Sequence, residues 1–209
     1  MPSSTLHPAI TAAFEAEIDD ARRCEALLAA VCAAYTSPER HYHNLCHLGH
    51  LVRELETVRD AVSDWNLLLL AAAYHDIVYD TARPDNEEAS AIRAGTDLLQ
   101  WIDAPRLQNL QDIILATKHH ERSPDPDTNL FCDADLAILG APADVYTRYA
   151  AQIRAEYGRY PDALYNPGRA AVLRKLLDEP SLFKTASFQE RFETAARANL
   201  RRELELLQA

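Results

Sequence analysis

Glycine is scarce in this chain, with five residues in 209. Strand-rich folds recruit glycine for their turns, so this shortage, beside abundant Ala, Leu, Glu and Arg, favours helices. Cysteine is sparse as well. Cys24, Cys32, Cys46 and Cys132 form no C-x-x-C pair and no dense framework, and they read as buried thiols in a reducing cytosol. No apolar run approaches the length of a bilayer span; the longest, residues 67–74, is far too short. The opening MPSSTLHPAITAAFEAEIDD lacks a basic segment followed by an apolar one and does not read as a secretory signal. A cytoplasmic protein is expected. Positive charge is also in deficit: 21 Lys and Arg stand against 32 Asp and Glu, a formal net charge of −11. That balance disfavours a general nucleic-acid or anionic-membrane binder. It leaves room for a small phosphorylated ligand, because a bound divalent cation can supply positive charge locally. No Gly-x-Ser-x-Gly elbow, Gly-rich phosphate loop or dinucleotide fingerprint occurs, which weakens the case for a Ser or Cys hydrolase.

What is present suits a soluble helical protein. The chain is 48% hydrophobic and 25% charged, and its length allows one domain with a substantial core. Apolar residues recur at three- and four-residue spacings along nearly every long segment. The pattern predicts a helix over 8–35, broken at most once, with Ser37-Pro38 as a boundary. A second helix is expected to carry His43, His47, Leu51, Leu55 and Val58, and a third, buried all round, to cover 66–78. Asp85 with Glu88 resembles an N-cap and its capping-box partner, opening a helix that ends near Trp101. Further helices are expected at 106–119, 143–158, 161–177 and 187–207. SPDPDTN (123–129) reads as the most loop-like stretch, followed by a short helix or turn at 132–139. No repeat or linker is visible, so a single all-α domain over 1–209 is the expectation.

Three segments carry candidate chemistry. Tyr74-His75-Asp76 ends an apolar helix, where a buried carboxylate is costly unless paired or bound to a cation. Taken alone, such a dipeptide reads first as a His–Asp hydrogen bond or a helix C-terminal cap. His43 and His47 are spaced to share one helix face, and with His41 and His50 they place half of the eight histidines within ten residues. Alone, that cluster reads as a polar helix start. Asp133-Ala134-Asp135 leads into Leu136-Ala137-Ile138-Leu139, and alone it reads as an N-cap pair.

Together the three segments resemble the HD superfamily of metal-dependent phosphohydrolases, which places a single His on one helix, a His-Asp pair ending a later one, and a distant Asp. The resemblance implies metal ligands at His47, His75, Asp76 and Asp135, on a compact helical bundle whose metal-site core spans about 40–140 with the C-terminal helices packed on it. Tyr42-His43-Asn44-x-x-His47 is also similar to the start of the cyclic-nucleotide phosphodiesterase site, in which the earlier His donates a proton and the later one is a ligand. Wider features are similar to a bacterial family of predicted metal-dependent HD phosphohydrolases: His75-Asp76-x-Val78-Tyr79-Asp80, Asp85-Asn86-Glu87-Glu88, Asp133-x-Asp135-Leu136-x-Ile138-Leu139-Gly140, and towards the C-terminus Ile153-Arg154-x-Glu156-Tyr157 and Phe188…Ala196-Arg197-x-Asn199-Leu200-x-x-Glu203-Leu204. That likeness covers most of the chain from about Arg40. There are also departures. The phosphodiesterase pattern continues with a further His and a Pro-Gly, where this chain has Ile77-Val78-Tyr79-Asp80, and 209 residues leave no room for that family's long C-terminal extension. The Gly-Tyr-Pro motif of the signalling phosphodiesterases is likewise unmatched. Cyclic-nucleotide specificity is therefore not expected.

Two imidazoles and two carboxylates suit Mn²⁺, Fe²⁺, Co²⁺, Ni²⁺, Zn²⁺ or Mg²⁺, one or two per site, with Asp76 the natural bridge between two. Such a metal would activate water against a phosphoester, and His43 is the first candidate to protonate the leaving group. Asp80 is a candidate to orient the attacking water, or else a loop cap. His120, and less so His119, is a candidate to face substrate or a second ion, or else simply to complement a helix C-terminus. Glu87 and Glu88 read first as helix-dipole partners. Lys118 reads as a solvated side chain with phosphate as its alternative, and Arg154 with Tyr157 as an ion pair and a core-edge aromatic before a phosphate clamp. The expected substrate is a nucleotide or similar small phosphorylated metabolite, with no nucleic acid and no membrane as partner and a homodimer among the allowed states. A di-iron oxygenase on the same scaffold and an inactive nucleotide-binding sensor are the alternatives.

Overall fold

The apolar LLLLAAAY run becomes the helix around which the others gather. In the computed structural model, which describes residues 5–208, every residue from Leu67 to Tyr74 is buried. The residues form ten α-helices and two short 3₁₀ turns, with no strand among the described residues. Part of the opening stretch inspected for a secretory signal, residues 1–4, lies outside the described residues. No described helix is long and apolar enough to cross a membrane.

The chain divides into two compact units, residues 1–132 and 133–209. The first holds α1 (Pro8–Glu17), α2 (Ala21–Tyr35), α3 (Leu45–Glu56), α4 (Trp65–Tyr74), α5 (Asn86–Leu98), α6 (Ala104–Ala116) and most of α7 (Pro126–Leu136). α4 packs against α1, α3, α5 and α6, which explains why it has no polar face: a helix surrounded by helices buries all its sides. Its start is fixed by Asp64, whose carboxylate accepts from the Leu67 amide at 3.0 Å. Asp127 on α7 accepts from the Ser63 and Asp64 amides at 2.9–3.0 Å and anchors the same junction. Arg106 of α6 ties it to α1, donating to Glu17 (2.9 Å) and to Asp64 (2.8 Å).

The second unit holds α8 (Ala143–Glu156), α9 (Asp162–Asp178) and α10 (Ala186–Gln208), with the 3₁₀ turn Ala137–Gly140 laid on α10. Gly140 permits that contact, since a Cβ there would lie 2.6 Å from Cβ of Phe192. Buried Asn199 donates to the Leu139 and Ala141 carbonyls, both at 2.8 Å, and so satisfies a turn that lacks helical partners.

Several expected boundaries are corrected. The 8–35 segment breaks once, as its reading allowed, where Asp20 caps α2 by accepting from the Arg22 and Arg23 amides; other boundaries differ. The second helix starts at Leu45 rather than carrying His43, because Asn44 sits in extended backbone and its side chain accepts from the Cys46 amide as N-cap. The buried helix stops at Tyr74, four residues short of Val78. Asp85 occupies the N-cap position of α5 without making the cap bond; its carboxylate pairs with Arg83 instead. SPDPDTN is mostly helical. Asp125 accepts from the Thr128 amide (2.8 Å) and hydroxyl (2.6 Å), and Pro126 takes the first helical position, where its missing N–H costs nothing. Asp133 and Asp135 therefore lie late in α7 rather than at a helix start.

Candidate metal centre

α3 and the end of α4 bring two imidazoles together. His47 lies in the first turn of α3 and is buried; His75 is the C-cap residue of α4 and is buried as well. Their Nε2 atoms stand 3.1 Å apart. Nδ1 of His75 lies 2.9 Å from the Ala72 carbonyl oxygen, which can only accept, so Nδ1 carries a proton. In the neutral ring Nε2 is then a lone pair directed at His47. Two ring nitrogens at this separation share at most one proton, so at least one lone pair faces the gap.

Asp76 completes a triangle. Its Oδ2 lies 3.0 Å from His75 Nε2 and 3.8 Å from His47 Nε2. Ligands about 2.1 Å from one ion are separated by about 3.0 to 3.4 Å at angles of 90 to 110°. The first two separations, 3.1 and 3.0 Å, fall in that range, and the third fits a wider ligand–metal–ligand angle. Burial alone would push the Asp76 carboxyl up, but when the imidazoles are protonated the charges of His75 and His43, a hydrogen bond from His75 and the charge of His47 outweigh it and hold the group well below the usual carboxylate range; the neutral rings instead present lone pairs. Asp76 is thus an ionised oxygen donor beside two nitrogen donors, a set suited to a borderline divalent ion. The Phe131 ring packs edge-on against His75, 5.8 Å between centroids, and walls one side with hydrocarbon.

His43 stands beside this triangle, in the turn before α3 rather than on the helix. Its ring lies 5.7 Å from that of His47, 5.0 Å from Tyr42 and 4.3 Å from Tyr79. The i,i+4 spacing therefore still predicts proximity, although through a capped turn. The backbone of Asp76 is held at both ends: its amide donates to the Tyr35 hydroxyl at 3.1 Å, and its carbonyl accepts from Arg40 at 2.6 Å. Sequence reasoning missed both residues. Tyr35 only closes the expected 8–35 helix, and Arg40 only marks where the resemblance begins.

Several other candidates have partners in their own turns and helices. Asp80 caps its own loop, its Oδ1 accepting from the Ala82 amide at 2.9 Å. Asn86 brackets the same residue, accepting from its N–H and donating to its carbonyl. His120 ends the turn after α6 in left-handed backbone, φ 52°, its amide donating to the Ala116 carbonyl; His119 beside it is exposed. Lys118 pairs with Glu88 and donates to the Pro84 carbonyl at 2.9 Å. Of the two late acids on α7, Asp133 accepts from the Lys184 amide (2.7 Å) and from the Thr185 amide and hydroxyl (2.8 and 2.7 Å), capping the start of α10. Asp135, half-buried, belongs to the second unit with it. Arg154 pairs with Asp162 at 2.7 Å and donates to the Tyr157 and Tyr160 carbonyls, stapling the turn between α8 and α9.

No family model matches the chain, and neither a curated protein nor a solved structure matches it.

Proposed function

We propose that this protein is a metal-dependent phosphohydrolase of the HD type, holding a divalent ion with His47, His75, Asp76 and Asp135. The observation that carries the reading is the convergence of His47 Nε2, His75 Nε2 and Asp76 Oδ2 within 3.0–3.8 Å, with the His75 tautomer set by the Ala72 carbonyl. Carbonyl-oriented imidazoles are the usual supporting arrangement around bound metals. Two observations support Asp135 over Asp133 as the fourth ligand. Asp133 is already committed to the cap of α10. Asp135 follows Phe131, the residue packed on His75, by four positions on one continuous helix, and so shares its face.

A divalent ion in this donor set supplies a water of lowered pKa and polarises a phosphoryl oxygen. The chain's own groups do the rest. Asp76 would hold the ion through its carboxylate. His43, beside the ligand set, protonates the departing oxygen. The substrate class is a nucleotide or similar small phosphoester: a local cation offsets the phosphate charge inside a protein of net charge −11. The four cysteines remain thiols, which suits the reducing cytoplasm.

The test is a panel of nucleotides and generic phosphoesters assayed with Mn²⁺, Co²⁺, Ni²⁺, Zn²⁺, Fe²⁺ and Mg²⁺, comparing wild type with Asp76→Ala. Phosphate release that needs both metal and Asp76 is expected. Turnover that consumes oxygen would favour an oxygenase, and no release from any substrate would leave only the sensor reading.

A further inference from the structure

We propose that Arg40 is a positioning residue that clamps the turn bearing His43 onto the turn bearing the ligand Asp76. The proposal deepens the phosphohydrolase reading, since His43 is placed there as proton donor. Arg40 is 9% exposed, and among the described residues no carboxylate pairs with it. Its guanidinium is spent on three backbone carbonyls: Nη1 donates to His43 (3.3 Å) and Asp76 (2.6 Å), and Nη2 to Ile77 (3.0 Å). The plane lies between two aromatic rings, 4.8 Å from the Tyr35 centroid and 5.5 Å from that of Tyr79.

Each of those rings serves the site in turn. Tyr35 receives the Asp76 amide, and Tyr79 lies against the His43 ring, tilted by 31°. Two irregular turns, 40–44 and 75–79, therefore meet through the Arg40 guanidinium and the contact of the His43 and Tyr79 rings. The carbonyls of His43, Asp76 and Ile77 lie in turns where a regular helix does not continue, and a buried carbonyl left unpaired is expensive. A planar fork with five donors can satisfy three carbonyls and stack on rings at once, which an ammonium cannot do. Stability alone would be served by an apolar side chain and a shorter turn. What Arg40 adds is a fixed separation between the His43 imidazole and the Asp76 carboxylate.

The experiment uses Arg40→Lys and Arg40→Met in the full chain, with helix content checked by circular dichroism; Lys keeps the charge should Met fail to fold. The first readout is independent of turnover. The His43 ring resonances, identified by His43→Gln and recorded in the magnesium-loaded protein, carry the ring currents of Tyr42 and Tyr79. They are expected to move towards exposed-histidine positions in Arg40→Lys while those of His75 stay. The second readout is leaving-group dependence. An alkyl phosphoester, which needs a proton donor, should lose about 100-fold in kcat, whereas a p-nitrophenyl ester, which does not, should change by only a few-fold, as for loss of a general acid. Metal content should be unchanged. His43 resonances that stay in place in Arg40→Lys, or equal losses on both esters, would overturn the proposal. If the wild type hydrolyses neither ester, the phosphohydrolase reading fails, and the resonances alone then decide whether Arg40 positions His43.

Discussion

Of two aspartates two positions apart on α7, Asp133 serves as a cap and Asp135 is the proposed ligand. Asp133 is fully buried and accepts three hydrogen bonds at the start of α10. Asp133→Ala should therefore cost stability, about 1–3 kcal/mol for a buried multidentate cap, measured by urea denaturation. Asp135→Ala should instead lower metal affinity, measured by equilibrium dialysis. The reverse assignment would exchange the ligand. His43 gives a second prediction at this scale. His43→Ala should reduce turnover by a factor of about 10² to 10⁴, as for loss of a general acid, with metal content near wild type. Metal loss in that variant would make His43 a ligand. His75, Asp76 and His47 are singled out because their segments together with the later Asp resemble one known pattern; taken alone, the His-Asp pair reads as a hydrogen bond or a helix cap. The resemblance chose Asp135 over Asp133, but the capping role of Asp133 was not readable, since it lies in amides 51 and 52 residues away. Arg40 was invisible for the same reason: its acceptors are carbonyls, which every residue has.

At the level of elements, period was read well and ends were read poorly. The apolar spacing located every helix except α7, whose first turn was read as loop, and His43 was assigned to α3 because its spacing to His47 suits a helix as well as a capped turn. Asn44 decided between them, and an Asn before a Leu is a weak signal until its side chain is seen on the Cys46 amide. Pro126 misled in the opposite direction, since a proline among aspartates reads as a breaker although at the first helical position it is a starter. The junction of α1, α4 and α6 yields a prediction here. The hydrogen bond from Arg106 holds Glu17 below the ordinary carboxylate range despite burial. Asp64 is also lowered: burial works upward, but Arg106 and the Leu67 amide outweigh it. Carboxylates depressed in the folded state stabilise it above their unfolded pKa, and that contribution is lost as pH falls through the folded values. The wild type should thus lose stability as pH drops below about 4. Arg106→Met should cost about 1–2 kcal/mol at pH 7, allowing for the partial exposure of the network, and should flatten that acid limb. An acid limb of unchanged slope in Arg106→Met would assign the pH dependence to other carboxylates.

For the whole molecule, the shortage of glycine foretold an all-helical chain, and one of the five, Gly140, is fixed by the close approach of Phe192. The division into two compact units left no mark in the sequence, because the boundary falls inside α7 rather than in a linker. The excess of acid over base finds its proposed purpose at this scale: an acidic chain handles a phosphate through a bound cation rather than through a basic surface. Everything proposed about activity rests on that cation. The most direct measurement is equilibrium dialysis against Mn²⁺ or Zn²⁺ with elemental analysis, on folded wild type and on His75→Ala. One to two ions per chain are predicted for wild type, with affinity lowered more than about 100-fold in the variant, since loss of a direct ligand exceeds the effect of losing a supporting hydrogen bond. Equal binding by the two proteins, or none by either, would contradict the account.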